Sequence, residues 1–239
     1  MHPSTMPSPS RAGEVALVRW AITKVAHHAV VVSWRRMGHA RSMQSRARDA
    51  RSVRSVELNG APITPAEVHA VAMLGARVRL APAARRRVAA CRRALVAAAG
   101  DGEPHYGINT GFGSLARRRI APAQLVQLQR NLVRSHAAGA GAPLPEAVVR
   151  STMLCLPATL ARARSGVRPL VVDRLLAFLN AGLTPVVPEL GSVGASGDLA
   201  PLAHVALALM GEGRVFFRGR ELATAVALRR ARLAPVEFV

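Results

Sequence analysis

Proline stands near the start of most apolar segments after residue 60, and glycine follows several of them. Proline is favoured in the first helical turn because its missing N–H needs no partner there, and glycine is typical just past a helix end. Thr64-Pro65-Ala66-Glu67 adds the side chains of a capping box. This pattern predicts a mainly α-helical chain with helices over 65–74, 83–99, 122–135, 145–163, 169–181, 201–210 and 221–231.

Short β elements are expected between these helices. Val56-Glu57-Leu58-Asn59-Gly60 is typical of a strand that ends in a turn, and residues 215–220 predict a hairpin around Arg218-Gly219. Pro157 falls inside the helix over 145–163, where a kink is expected at a cost of about 3 kcal/mol. The fold class is therefore mainly α with short β elements.

Residues 1–55 differ in composition from residues 56–239, which form the main predicted domain. The first segment is rich in Pro, Ser and Arg, and charged residues and histidines interrupt its apolar stretch, so a transmembrane span is not expected. We expect a basic, poorly ordered extension. A transit peptide and a start codon placed too far upstream are both open interpretations.

The formal net charge of +20 raises the question of a polyanionic partner. Lys24 is the chain's single lysine, the arginines are spread along the sequence, and aromatic residues are 3% of the composition. This pattern does not favour specific nucleic-acid binding. Cys91 and Cys155 lie in apolar helical contexts, so reduced thiols are expected, and no spacing of His, Cys, Asp or Glu indicates a metal site.

The tripeptide Ala195-Ser196-Gly197 precedes an apolar helix and has two interpretations. It is compatible with an ordinary turn in which Asp198 caps the helix. Glycine also permits a tight backbone turn. If the Gly197 nitrogen reaches the Ala195 carbonyl, a ring can close, and loss of water from the ring and from the Ser196 hydroxyl leaves a methylidene imidazolone. Both interpretations can hold together.

Two further segments are candidates for chemistry. The loop His105-Tyr106-Gly107-Ile108-Asn109-Thr110-Gly111-Phe112-Gly113 lacks the glycine spacing of a dinucleotide site. The helix over 122–135 leads into Ser135-His136. By themselves these segments are equally compatible with a surface loop and a capping histidine.

Taken together, the string from Gly191 to His204, the loop at 105–113 and the Ser135-His136 pair resemble the aromatic amino acid ammonia-lyases, and most closely their histidine-specific branch. The resemblance implies the N-terminal part of the ammonia-lyase/fumarase-like helical fold. It implies a 4-methylidene-imidazol-5-one cofactor made from Ala195, Ser196 and Gly197, without a metal or a dissociable cofactor. It also implies a homotetramer that acts on a small-molecule amino acid substrate, and the reduced thiols lead us to expect a cytoplasmic location.

The resemblance assigns roles to individual residues. Tyr106 would be the base that removes the β-proton, and His136 would contact the substrate side chain. Asn109 and Gly113 of the lid loop would bind substrate, and Asp198 would support the cofactor. The implied reaction converts L-histidine into urocanate and ammonia.

Departures from the family keep alternatives open. Family chains are about twice as long, so the chain is expected to stop before much of the helix bundle and several pocket residues, and to be inactive by itself. Cys155-Leu156-Pro157 and Arg162-Ala163-Arg164 also depart from the family pattern. A noncatalytic remnant or interaction module, and a lyase or aminomutase acting on tyrosine or phenylalanine, are the competing hypotheses.

Overall fold

The computed structural model describes residues 50–101, 103–113, 116–192 and 199–237. Helices dominate the part of the chain that it describes. They are α1 (Pro65–Leu74), α2 (Pro82–Ala99), α3 (Pro122–His136), α4 (Glu146–Leu160), α5 (Pro169–Ala181), α6 (Leu199–Leu209) and α7 (Thr224–Ala231).

Seven short strands form three small sheets among these helices. They are β1 (Ser55–Leu58), β2 (Arg77–Leu80), β3 (Ala140–Pro143), β4 (Thr184–Pro185), β5 (Pro188–Leu190), β6 (Arg214–Phe217) and β7 (Arg220–Ala223). β1 and β2 are parallel and are joined through α1, whereas β3 pairs antiparallel with β5. In the third sheet β6 lies between β4 and β7, antiparallel to both.

The hydrophobic core is centred on α4 and α5. Met153, Leu154, Leu175 and Phe178 are fully buried there. α1 packs on α4, and β2 packs on α5. Burial of such side chains contributes roughly 1.5–3 kcal/mol each. Since α1 and β2 pack on them, α4 and α5 form the centre of the core.

The local signals that predicted the helices are present in the structure. Thr64 Oγ1 accepts from the Glu67 amide, and the Glu67 side chain accepts from the Thr64 amide, which completes the capping box of α1. Gly75 ends α1 in the left-handed conformation with φ of 71°. The hairpin turn is also confirmed, since Arg218 and Gly219 both have positive φ, as a tight turn between antiparallel strands requires.

Two expectations need correction. The helix predicted over 221–231 begins only at Thr224, because residues 220–223 pair with β6 instead. The helix predicted over 145–163 ends earlier, since α4 spans Glu146–Leu160 with Pro157 inside it. Pro157 lies in the last turn, so a single hydrogen bond toward Met153 is lost while its own carbonyl still accepts from Ala161.

Most of the predicted extension, residues 1–49, lies outside the described residues. Ala50 is fully buried and Ser55 begins β1. Within the described ranges, no helix combines the length and the apolarity that a membrane crossing needs.

Candidate active site

The loop that contains Tyr106 is held at its base by backbone hydrogen bonds to residues 118–120. The Gly111 amide donates to the Arg118 carbonyl, and the Ile120 amide donates to the Asn109 carbonyl. The Thr110 hydroxyl, which is buried, accepts from the Gly107 amide. These contacts join the loop to the segment that leads into α3.

Asn109 is the internal brace of this loop. Its side chain is 4% exposed; Oδ1 accepts from the His105 amide at 2.6 Å and Nδ2 donates to the Glu103 carbonyl at 2.7 Å. Both ends of the amide therefore hold loop backbone. Its assignment to substrate binding stays a prediction, and bracing the loop is the role that the geometry gives it.

Tyr106 projects from the braced loop toward solvent. Its side chain is 45% exposed, and its ring meets Phe112 edge to face with centroids 6.0 Å apart. Gly113 follows with φ of 57°, a conformation that glycine adopts without strain. The phenol is thus carried on a loop with a rigid base and an exposed tip.

His105 and Asp101 tie the start of this loop to the end of α2. His105 Nε2 lies 3.0 Å from both oxygens of Asp101. The Glu103 amide and His105 together hold the pKa of the Asp101 carboxyl below its usual range.

His136 is the last residue of α3, and its ring folds back on the helix. Nδ1 lies 2.8 Å from the Leu132 carbonyl oxygen and 3.1 Å from Ser135 Oγ. A carbonyl oxygen only accepts, so this contact assigns the ring proton to Nδ1. In the neutral ring, Nε2 is then an acceptor for a ligand.

The chain that follows His136 lies against both flanks of the predicted cofactor tripeptide. β3 pairs with β5, which ends just before Gly191, and His204 Nε2 on α6 accepts from the Gly139 amide at 3.1 Å. A Cβ built on Gly191 would lie 3.1 Å from Gly139 Cα and 3.0 Å from Ala200 Cβ. The structure therefore brings Gly139, Gly191 and Ala200 together.

The tripeptide itself and Asp198 lie outside the described residues, which omit 193–198. The flanks lie close together: Gly191 and Ala200 approach each other although eight residues separate them in the sequence. Gly191 has φ of 154°, and a Cβ at this position would crowd Gly139 and Ala200, so glycine is favoured just before the tripeptide segment.

His204 is the site residue that sequence reasoning left without a role. The available signal was a single polar side chain within the apolar segment 199–209. Across the described ranges, no group of three or more His, Cys, Asp or Glu side chains is placed to hold a metal ion.

Comparison with known proteins defines the class. Residues 63–239 match the family model described as aromatic amino acid lyase. The chain is 54% identical over 186 residues to a histidine ammonia-lyase of Anaeromyxobacter sp. (strain K), a match that covers 75% of this chain and 37% of the relative.

Solved structures agree on the fold. An ergothioneine-degrading ergothionase from Treponema denticola superimposes with a TM-score of 0.74 at 30% identity, over 77% of this chain and 37% of that one. A tyrosine aminomutase from Streptomyces globisporus gives a TM-score of 0.71 at 37% identity, over 77% of this chain and 34% of that one.

These matches and the helical architecture place the chain in the ammonia-lyase fold, as predicted. The chain belongs to the aromatic amino acid lyase family. It spans 37% of the length of the Anaeromyxobacter relative.

Proposed function

We propose that this chain contributes to a histidine ammonia-lyase, which eliminates ammonia from L-histidine to give urocanate. The observation that supports this most is the contact of the segment after His136 with both flanks of the Ala195-Ser196-Gly197 tripeptide, through Gly139, Gly191 and His204. The 54% identity to a histidine ammonia-lyase supports the same chemistry.

The tripeptide supplies the electrophile that ordinary side chains lack. Ring closure joins the Gly197 nitrogen to the Ala195 carbonyl carbon, and two waters leave, one from the ring and one through the Ser196 hydroxyl. The resulting methylidene imidazolone provides an electrophilic carbon for the substrate amine. The close approach of the flanking residues Gly191 and Ala200 supports this proposal.

His136 orients the substrate. Because its Nδ1 proton is held by the Leu132 carbonyl, Nε2 accepts a hydrogen bond from an imidazole N–H. That acceptor favours L-histidine over an amino acid with a purely apolar ring. Tyrosine also carries a donor, so tyrosine lyase or aminomutase chemistry is the second candidate, which the 37% identity to a tyrosine aminomutase supports.

Tyr106 takes the β-proton of the substrate. Because the Tyr106 ring is exposed at the tip of the loop, the loop has to close over the bound substrate to bring the phenol to the β-proton. The braced base around Asn109 and the glycine at Gly113 suit a loop that moves as one unit. Its closure also excludes water.

The assembled enzyme is proposed to be a cytoplasmic homotetramer. The free thiols of Cys91 and Cys155 agree with a reducing compartment. Because the chain spans 37% of the length of its relative, turnover by these 239 residues alone is not expected.

The test is the intact mass of the purified chain. A deficit of two water molecules that maps to residues 195–197 is expected, together with its loss in Ser196→Ala. Ser151→Ala is the matched control, because Ser151 lies on α4 with its hydroxyl donating to the Ala147 carbonyl of the same helix, and the deficit is expected to remain. An unmodified mass in the parent chain contradicts the proposal and favours a noncatalytic remnant.

A further inference from the structure

We propose that His204 is a positioning residue whose neutral imidazole accepts the Gly139 amide proton and so holds the segment after His136 against helix α6. The proposal rests on the proposed function for its catalytic meaning, but its geometry stands independently. Nothing in the mechanism above uses His204 as an acid, a base or a ligand.

Gly139 is closely packed between His204 and residues of β5. Its amide nitrogen lies 3.1 Å from His204 Nε2. A Cβ built on Gly139 would lie 3.1 Å from that same nitrogen, 3.2 Å from the Leu190 carbonyl oxygen and 3.2 Å from Pro188 Cβ. Gly139 is therefore enclosed by α6 on one side and β5 on the other.

The hydrogen bond requires one protonation state of His204. Nε2 accepts only when it carries no proton, so the ring is neutral with its proton on Nδ1. Burial lowers the pKa of His204 below its ordinary value of 6.5, which favours this state at neutral pH. A protonated ring has no acceptor to offer, and the Gly139 amide then loses its partner.

The elements next to this contact carry few titratable side chains. α3, which packs on α6, carries Arg130, Arg134 and His136, and β5, which lies beside Gly139, carries Glu189. Arg134 pairs with Glu212 through two hydrogen bonds, of 3.0 and 2.7 Å. β4, which also packs on α6, carries Thr184 and Pro185 and has no titratable side chain.

Two residues separate His136 from Gly139, so the contact controls where His136 can lie. Three residue steps span at most about 11 Å of extended chain. His204 itself is fixed in the second turn of α6, whose start contacts Gly191 through Ala200. Loss of the hydrogen bond therefore frees the connection between the substrate-contacting histidine and the flank of the cofactor tripeptide.

The test compares His204→Leu, which has no acceptor, with His204→Gln, whose carbonyl oxygen can replace Nε2. His69→Gln is the matched control, because His69 is an exposed histidine on α1. Hydrogen exchange at the Gly139 amide is measured at pH 7.5 by NMR. We expect exchange at least about tenfold faster in the leucine variant and within about threefold of the parent in the glutamine and control variants.

A second readout is the pH profile of Gly139 exchange in the parent chain, corrected for intrinsic exchange. Protection should be complete above pH 6.5 and fall as the pH drops through the lowered pKa of His204. The glutamine variant should show no such fall. A third readout is the two-water mass deficit, which should be reduced in the leucine variant and restored in the glutamine variant.

Each outcome decides the proposal. Unchanged protection in His204→Leu overturns it, and so does equal loss in both His204 variants with a parallel drop in melting temperature, which indicates packing alone. If the leucine variant does not fold, the glutamine variant and the parent pH profile still decide. A parent chain without the mass deficit contradicts the proposed function, whereas the Gly139 readout remains a separate test of His204.

Discussion

Asn180 hydrogen-bonds to the backbone of β2 with both polar atoms of its side-chain amide. Its Oδ1 accepts from the Val78 amide and its Nδ2 donates to the Val78 carbonyl, both at 2.8 Å. The amide thus pairs with the open edge of β2 as a neighbouring strand would, across 102 residues of sequence. Such a contact fixes β2 against the end of α5.

Replacing Asn180 with alanine should lower the free energy of unfolding by about 1–3 kcal/mol, because both Val78 backbone groups lose their partner. Urea unfolding followed by circular dichroism measures this. Asn131→Ala is the control for helix propensity, because Asn131 is an exposed asparagine on α3, and its effect should stay within about 0.5 kcal/mol. Equal effects of the two substitutions would show that the Val78 pairing contributes little.

Among the secondary-structure elements, Arg150 connects α4 to α1 and α5 by hydrogen bonds. From α4 its guanidinium donates to the Val71 and Ala72 carbonyls of α1, at 2.9 and 3.2 Å, and to the Leu179 carbonyl of α5 at 3.4 Å. Carbonyls at helix C-termini lack intrahelical partners and carry partial negative charge. One cation therefore donates to carbonyls at the C-terminal ends of α1 and α5, and the Leu179 carbonyl also accepts from the Gly182 amide at 3.3 Å.

Arg150→Met should destabilise the fold by about 1.5–3 kcal/mol, the range for hydrogen bonds to a charged group. Arg150→Lys should recover part of this loss, because an ammonium keeps the charge but not the planar fork that reaches two helices. Thermal and urea unfolding provide the measurement. Arg86→Met, at an exposed position of α2, is the control and should change stability little. If Arg150→Met changes stability as little as the control does, the hydrogen bonds from Arg150 to α1 and α5 contribute little to the fold.

The elements differ in how far the sequence predicted them. α1 and α5 were predicted at their observed bounds, because proline, the capping box and glycine act within one or two turns. Strands β2 to β5 were not predicted, because each is two to four residues long and is defined by a distant partner. The predicted start of α7 was wrong for the same reason, because residues 220–223 pair with β6 as strand β7.

The large positive net charge affects the stability of the whole molecule. A formal net charge of +20 on 239 residues makes the folded state repel itself. Ion pairs such as Arg134–Glu212 and Arg214–Glu221 are exposed and contribute little against it. The stability of the whole fold should therefore increase when salt screens this repulsion.

We expect the melting temperature to rise as NaCl increases from about 0.02 to about 0.5 M, because the screening length falls well below the size of the molecule. Differential scanning fluorimetry measures the change. Sucrose at matched osmolality controls for solvent exclusion, which stabilises without screening charge. A melting temperature that falls with NaCl would mean that the ion pairs outweigh the net repulsion.

The sequence by itself determined the helical fold class, the family, the bounds of α1 and α5 and the motifs around Tyr106, His136 and Ser196, because each depends on residues that are neighbours in the chain. The tertiary structure decided that Asn109 braces its own loop and that Gly139 meets His204 and Gly191. The Gly139–His204 hydrogen bond joins residues 65 positions apart. Such a contact depends on how α3, β5 and α6 pack, and no local pattern of residues encodes that packing.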